Sequence, residues 1–125
     1  MANNFERQVT TLANFGVDAL VCADVEDGIE VADHKLSFVV PKGKVVTAVA
    51  FRNMKDNLVG AGASVQIKLG EEALGAPVAV ANIKGKTAYT AIEGGYVLPQ
   101  DEAITLSVTG GALTAGDLDA IVLYF

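Results

Sequence analysis

The side chains that could carry chemistry are few and scattered. His34 is the only histidine and Cys22 the only cysteine in 125 residues. A nucleophilic site needs a Ser, Cys or Thr beside a base. Ser37 follows His34 closely, but no Gly-x-Ser-x-Gly elbow or helix end is present to activate either residue. His34, directly after Asp33, therefore reads as an exposed loop residue. Zinc, iron and copper sites draw on several His or Cys ligands, which excludes them here. Cys22 lies among Ala19, Leu20, Val21 and Ala23 and suits a small buried thiol.

Calcium needs only oxygen ligands, and residues 18–33 offer Asp18, Asp24, Glu26, Asp27, Glu30 and Asp33 with no basic residue. Counted from Asp24, however, Gly28 falls in the fifth place of the loop and not the sixth. The stretch reads as a solvated acidic loop. Carboxylates also pair at Glu71 and Glu72, Asp101 and Glu102, and Asp117 and Asp119. A glycosidase sets two carboxyls across a cleft, whereas these pairs stand at turns between predicted strands. Gly60-Ala61-Gly62-Ala63 lacks the Lys-Ser/Thr ending of a phosphate loop and precedes a strand, so a flexible connection is expected. With no Trp, the only candidate sugar platform is Tyr89 with Tyr96; Phe38, Phe51, Tyr124 and Phe125 fall in strands as core residues. No catalytic, metal or cofactor residue emerges, and the chain is not expected to be an enzyme.

The elements that would position any site are strands. Ser64-Val65-Gln66-Ile67-Lys68-Leu69 alternates, with Val65, Ile67 and Leu69 on one face and the polar residues on the other. That pattern makes a sheet with one dry and one wet face. Residues 104–108 repeat it, with Thr105 and Ser107 outward. Residues 35–40 and 44–52, joined by Pro41-Lys42-Gly43, are expected to fold back on each other as a pair. Further strands are expected at 77–83, 87–92 and 118–125, the last central or covered on both sides because Ile121, Val122 and Leu123 are apolar in succession. At the amino terminus Phe5, Val9 and Leu12 fit a helical face, and residues 9–12 equally suit an edge strand; residues 1–16 are read as an arm. The fold class is all-β, an antiparallel β-sandwich of jelly-roll type, with the arm at 1–16 and one sandwich domain at 17–125.

Composition agrees. A chain that is 51% hydrophobic and 19% charged can build a core. Its net charge of −6 disfavours direct nucleic-acid binding. No apolar run approaches the ~20 residues that span a bilayer, and the first residues lack a secretory pattern. A membrane is therefore not an expected partner, and synthesis in the cytoplasm is expected.

Residues 63–70, 76–81, 104–111 and the closing Ala115-Gly116-Asp117-Leu118-Asp119-Ala120-Ile121-Val122-Leu123-Tyr124-Phe125 resemble small jelly-roll virion proteins of tailed bacteriophages, among them head decoration or cement proteins. The resemblance covers roughly residues 28–125 and leaves the arm outside. It implies a protein made in the bacterial host's cytoplasm and located on the capsid surface. There, as a dimer or trimer, it binds the major capsid protein and locks neighbouring capsomers. Phe5, Val9 and Leu12 would then supply an apolar anchor, and the basic turns at Lys42, Lys44, Lys84 and Lys86 would meet acidic capsid patches. The competing expectation is a carbohydrate-binding sandwich of a tail fibre or secreted protein, using Tyr89, Tyr96 and calcium in the acidic loop.

Overall fold

The computed structural model describes residues 9–12, 17–20, 22–24, 28–53 and 56–125, with side chains described from residue 28 onward except Ser37. The strands are β1 (Val9–Leu12), β2 (Val17–Leu20), β3 (Cys22–Asp24), β4 (Ala32–Val40), β5 (Val45–Arg52), β6 (Ser64–Leu69), β7 (Glu72–Ala79), β8 (Thr87–Val97), β9 (Glu102–Thr109) and β10 (Asp117–Tyr124). β1 and β2 pair with each other; the remaining strands form two four-stranded antiparallel sheets, ordered β3-β10-β5-β8 and β4-β9-β6-β7. We call these the first and second sheet. They pack as a sandwich around one core.

The core follows from the alternation. In β6 the inward residues Val65, Ile67 and Leu69 are buried, while Ser64, Gln66 and Lys68 are half-buried on the opposite face. Ile67 stands opposite Leu106 of β9, and both are fully buried. Removing such a side chain from water contributes about 1.5–3 kcal/mol. From the first sheet, Val49, Phe51, Leu118, Ala120, Val122 and Tyr124 close the other side of the same cluster.

Several expectations need correction. β4 and β5 do not pair: β4 bonds to β9, and β5 lies between β10 and β8 in the other sheet. The turn is present, with Lys44 N–H bonded to the Pro41 carbonyl, but it carries the chain from one sheet to the other. A local turn signal fixes a change of direction and says nothing about which sheet receives the next strand. The strand expected at 77–83 begins earlier, at Glu72, and gives way to a short 3-10 turn at Val80–Asn82. β8 runs on to Val97, past the expected end at Ile92. His34 lies half-buried within β4 and not in a loop. Its Nε2 stands 2.7 Å from the Glu30 carbonyl.

Gly60-Ala61-Gly62-Ala63 is a close-packed contact. A Cβ on Gly110 would lie 2.4 Å from the Gly62 carbonyl oxygen, and one on Gly111 2.3 Å from that of Ala61. The two glycine-bearing segments touch backbone to backbone, and Ala63 is buried beneath them. Between the two amino-terminal readings, residues 9–12 form a strand, paired with β2 by Val9 opposite Leu20 and Leu12 opposite Val17. Phe5 lies outside the described residues, as do Glu26, Asp27 and the side chains of Val9, Leu12 and Cys22.

Candidate interaction surfaces

The two outer faces of the sandwich differ in chemistry. On the second sheet the outward positions are Asp33 and Lys35 of β4, Thr105 and Ser107 of β9, and Ser64, Gln66 and Lys68 of β6. Asp33 sits at the centre of a cross-strand network: Lys68 Nζ donates to its Oδ2 at 3.1 Å, and the Ser107 hydroxyl hydrogen-bonds the same carboxylate. Chiefly through Ser107 and then Lys68, its pKa is held below the usual aspartate value. A serine beside a carboxylate invites comparison with a nucleophile and its base. The direction of the shift opposes it, because a carboxylate that holds its proton more weakly is a poorer base. What the arrangement does is tie β4, β9 and β6 together across the sheet.

In the first sheet the outer face carries apolar side chains as well. The outward residues of β10, β5 and β8 fall in rows: Ile121, Ala50 and Tyr89; Leu123, Ala48 and Ala91; then Phe125, Val45 and Val97. Phe125 and Val45 exchange backbone hydrogen bonds of 3.0 and 2.9 Å, which continues the ladder past the end of β10. All three rows are apolar, and Tyr89, Val97 and Phe125 are 64%, 58% and 58% exposed, but the exposed Thr47 of β5 and Glu93 of β8 lie beside these rows, where the register shifts between Val46 and Ala48. Phe125, expected in the core, is thus an outward residue. At the far end a fourth row holds Arg52 and Asp119, whose Nε and Oδ2 lie 2.8 Å apart. β10 is central, as expected from its unbroken apolar run.

The two tyrosines do not form one platform. Tyr89 points outward, whereas Tyr96 is half-buried against the core. Burial first, and then Glu72 and Glu102, push the Tyr96 hydroxyl above its ordinary pKa. The four lysines of the basic turns are exposed but separated. Lys42 and Lys44 precede β5, with the Lys42 N–H bonded to Asp101 at 2.8 Å, while Lys86 accepts a bond from the Asn53 N–H beyond the other end of β5. At ~3.3 Å per residue, the ladder between the two turns is roughly 25 Å long. They form two separate basic points and not one patch.

Among the described residues, no group of three His, Cys, Asp or Glu side chains is placed to hold a metal, and no helix is long and apolar enough to cross a membrane. Asp117 and Asp119 are not the exposed turn acids expected. Asp119 is 5% exposed against Arg52, and Asp117 joins a buried amide that composition does not flag, Asn53. Asn53 Nδ2 donates to Asp56 O, Asp117 O and Asp117 Oδ1 at 2.7–2.8 Å, and its Oδ1 accepts from Gly85 and Leu58. This side chain ties the end of β5 to the start of β10 and to the 84–86 turn. The signal available in the sequence is an Asn just past an apolar strand, with Asp three residues on, a pattern that favours local side-chain to backbone bonds. No protein-family model matches the chain, and no curated protein matches it.

Proposed function

We propose that this chain is a structural protein of a bacteriophage virion, a decoration or cement protein that binds the outside of the head and stabilises contacts between capsomers. We read its strand winding as a jelly roll. What supports this is the order in which the chain visits the sheets: β3, β5, β8 and β10 in one, β4, β6, β7 and β9 in the other. Every consecutive pair among these eight strands except β6–β7 crosses between sheets, which is the path of two interleaved Greek keys. That winding agrees with the virion proteins that the carboxy-terminal strands resemble.

The proposed mechanism is additive. Each copy makes a modest contact with the major capsid protein, and many copies on a closed shell hold it because several contacts must break together. The separated basic turns at Lys42 and Lys44 and at Lys84 and Lys86 suit two capsomer contacts from one copy, and Phe5, Val9 and Leu12 supply the apolar anchor. A sugar-binding role loses its platform, since Tyr89 and Tyr96 face opposite ways.

The test is co-sedimentation of the purified protein with expanded heads of the phage that encodes it. Saturable binding to expanded heads, reduced by Lys42→Glu with Lys84→Glu, is expected. Absence of binding to those heads, or binding to a glycan array in its place, overturns the reading.

A further inference from the structure

We infer that the two four-stranded sheets are closed to strand addition at their outer strands, so that whatever meets this sandwich meets its faces and turns and does not join its sheets. An outer strand offers a row of N–H and C=O groups on which another extended chain can pair. In this fold the outer strands are β4 and β7 in the second sheet and β3 and β8 in the first. The inference goes beyond the virion reading, because it holds whatever the chain binds.

The register carries it. Between the inner strands β6 and β9 the ladder runs unbroken from Ser64 opposite Thr109 to Leu69 opposite Ile104. Between the inner strands β5 and β10 it slips at Thr47 alone. The three long outer strands are interrupted far more. In β4 residues 36–38 stand opposite Ile104, in β7 residues 75–77 stand opposite Gln66, and in β8 residues 92–95 stand opposite Thr47. Such a bulge bends the strand and takes its following N–H and C=O groups out of line, so a chain laid along the edge loses register there. The residues in the bulges resist straightening. Pro77 has no N–H to offer. Gly75, Gly94 and Gly95 hold φ of +77°, +75° and +74°, which residues with a side chain rarely adopt. β3 is closed by other means: it is only Cys22–Asp24, and the preceding strand β2 lies against β10.

The longest uninterrupted outer run is Thr87–Ala91 of β8, matched residue for residue by β5 on its inner side. It is uncharged and has no proline, the composition of segments that pair readily with their like. Here the β7 bulge is itself the cover. Gly75 approaches Thr90 so closely that a Cβ on the glycine would lie 2.9 Å from Thr90 Cγ2. The bulge is fastened by the residue that stands opposite it, since Gln66 Nε2 donates to the Gly75 carbonyl at 2.7 Å. Gln66 is thus a staple, supplying from its side chain a bond where the ladder slips.

The test straightens β7 in the full chain. Deleting Ala76 and Pro77 leaves residue 75 alone opposite Gln66 and keeps Leu74 and Val78 on the core side. With Gly75→Thr in addition, β7 becomes an unbroken edge of favourable strand residues and its cover is withdrawn from β8. Held folded at about 1 mM, this variant is expected to lose soluble monomer and gain thioflavin T fluorescence, and the parent to do neither. Leu106→Ala, in the inner strand β9, controls for lost stability. Brought to the same unfolded fraction with urea, it should stay thioflavin-negative.

A straightened variant that folds, judged by circular dichroism, and stays monomeric overturns the inference. So does equal assembly by Leu106→Ala, which would assign the effect to unfolding. If the straightened variant does not fold, Gln66→Val decides, because it removes only the staple. Its Thr87–Ala91 amides should exchange with deuterium faster than the parent's, while those of β10 keep the parent's rate. Equal exchange at Thr87–Ala91 overturns the inference as well.

Discussion

At the residue scale, Asn53 concentrates more bonds than any apolar side chain around it could replace. It is 3% exposed, and its amide serves acceptors on residues 56 and 117 while its oxygen takes the N–H groups of residues 58 and 85. In Asn53→Ala the Asp56 carbonyl keeps the Asp117 N–H and Asp117 Oδ1 keeps the Asp56 N–H, so the loss falls chiefly on the N–H groups of the buried Leu58 and of Gly85, each costing about 1–3 kcal/mol where water does not enter. A loss of about 3 kcal/mol or more in chemical denaturation is expected. A loss under about 1 kcal/mol would mean that water replaces the amide. Asp33 is a different case, because it lies at the surface and its effect is on titration. Its carboxyl is held below the ordinary value of 3.8, first by Ser107 and then by Lys68. The stabilisation it gives is therefore present above that value and is lost as pH falls through the lower, folded-state pKa. In Ser107→Ala, carboxyl titration by NMR should show the Asp33 midpoint moving up toward the ordinary value. The variant's stability deficit should narrow as the solution is acidified. An unmoved midpoint would leave Lys68 as the group that matters.

At the element scale, strands were legible where the alternation is strict and the burial one-sided. Ser64–Leu69 is such a case, and its observed bounds coincide with its pattern. Pairing was not legible. Pro41-Lys42-Gly43 announces a turn equally well whether the chain returns beside β4 or crosses to the facing sheet, and the information that decides lies in distant strands such as β9 and β10. The outward apolar rows were invisible for a related reason. Ala48, Ala50, Ile121 and Leu123 become a surface only once β5 and β10 are neighbours in a given register. The glycine contact also depends on distance along the chain, since Gly62 meets Gly110 only in the folded sheet. Substitution separates the two costs a glycine can carry. Gly43 has φ +86° with nothing near its Cβ position, so Gly43→Ala pays the backbone term alone, about 1 kcal/mol. Gly110 has φ +79° and backbone 2.4 Å away, so Gly110→Ala adds displacement of the 60–63 segment. Thermal or denaturant unfolding should rank Gly110→Ala well below Gly43→Ala, by about 2 kcal/mol or more. Equal losses would mean that the contact yields freely.

At the scale of the whole molecule, the strand order governs how the chain can fold. Every neighbouring pair in the first sheet joins strands distant in sequence, from β3 with β10, where Asp24 stands opposite Asp117, to β5 with β8. In the second sheet only β6 and β7 are consecutive and paired. Chain entropy must be given up over long loops before these pairings return free energy, so local contacts cannot drive assembly. Refolding of the full chain from denaturant is therefore expected on a millisecond-to-second timescale at 25 °C, as for other sandwiches of non-local topology. Within that process the hairpins β6–β7 and β1–β2, each made of strands consecutive in the chain, are the described units able to form early. Leu74→Ala, in the β6–β7 hairpin, should slow folding, whereas Val122→Ala, in β10, should mainly speed unfolding, because β10 takes its central place after both its neighbours are positioned. Stopped-flow chevrons of the two variants decide the matter. If both slow refolding equally, β10 belongs to the nucleus, and long-range closure of the first sheet precedes the hairpin.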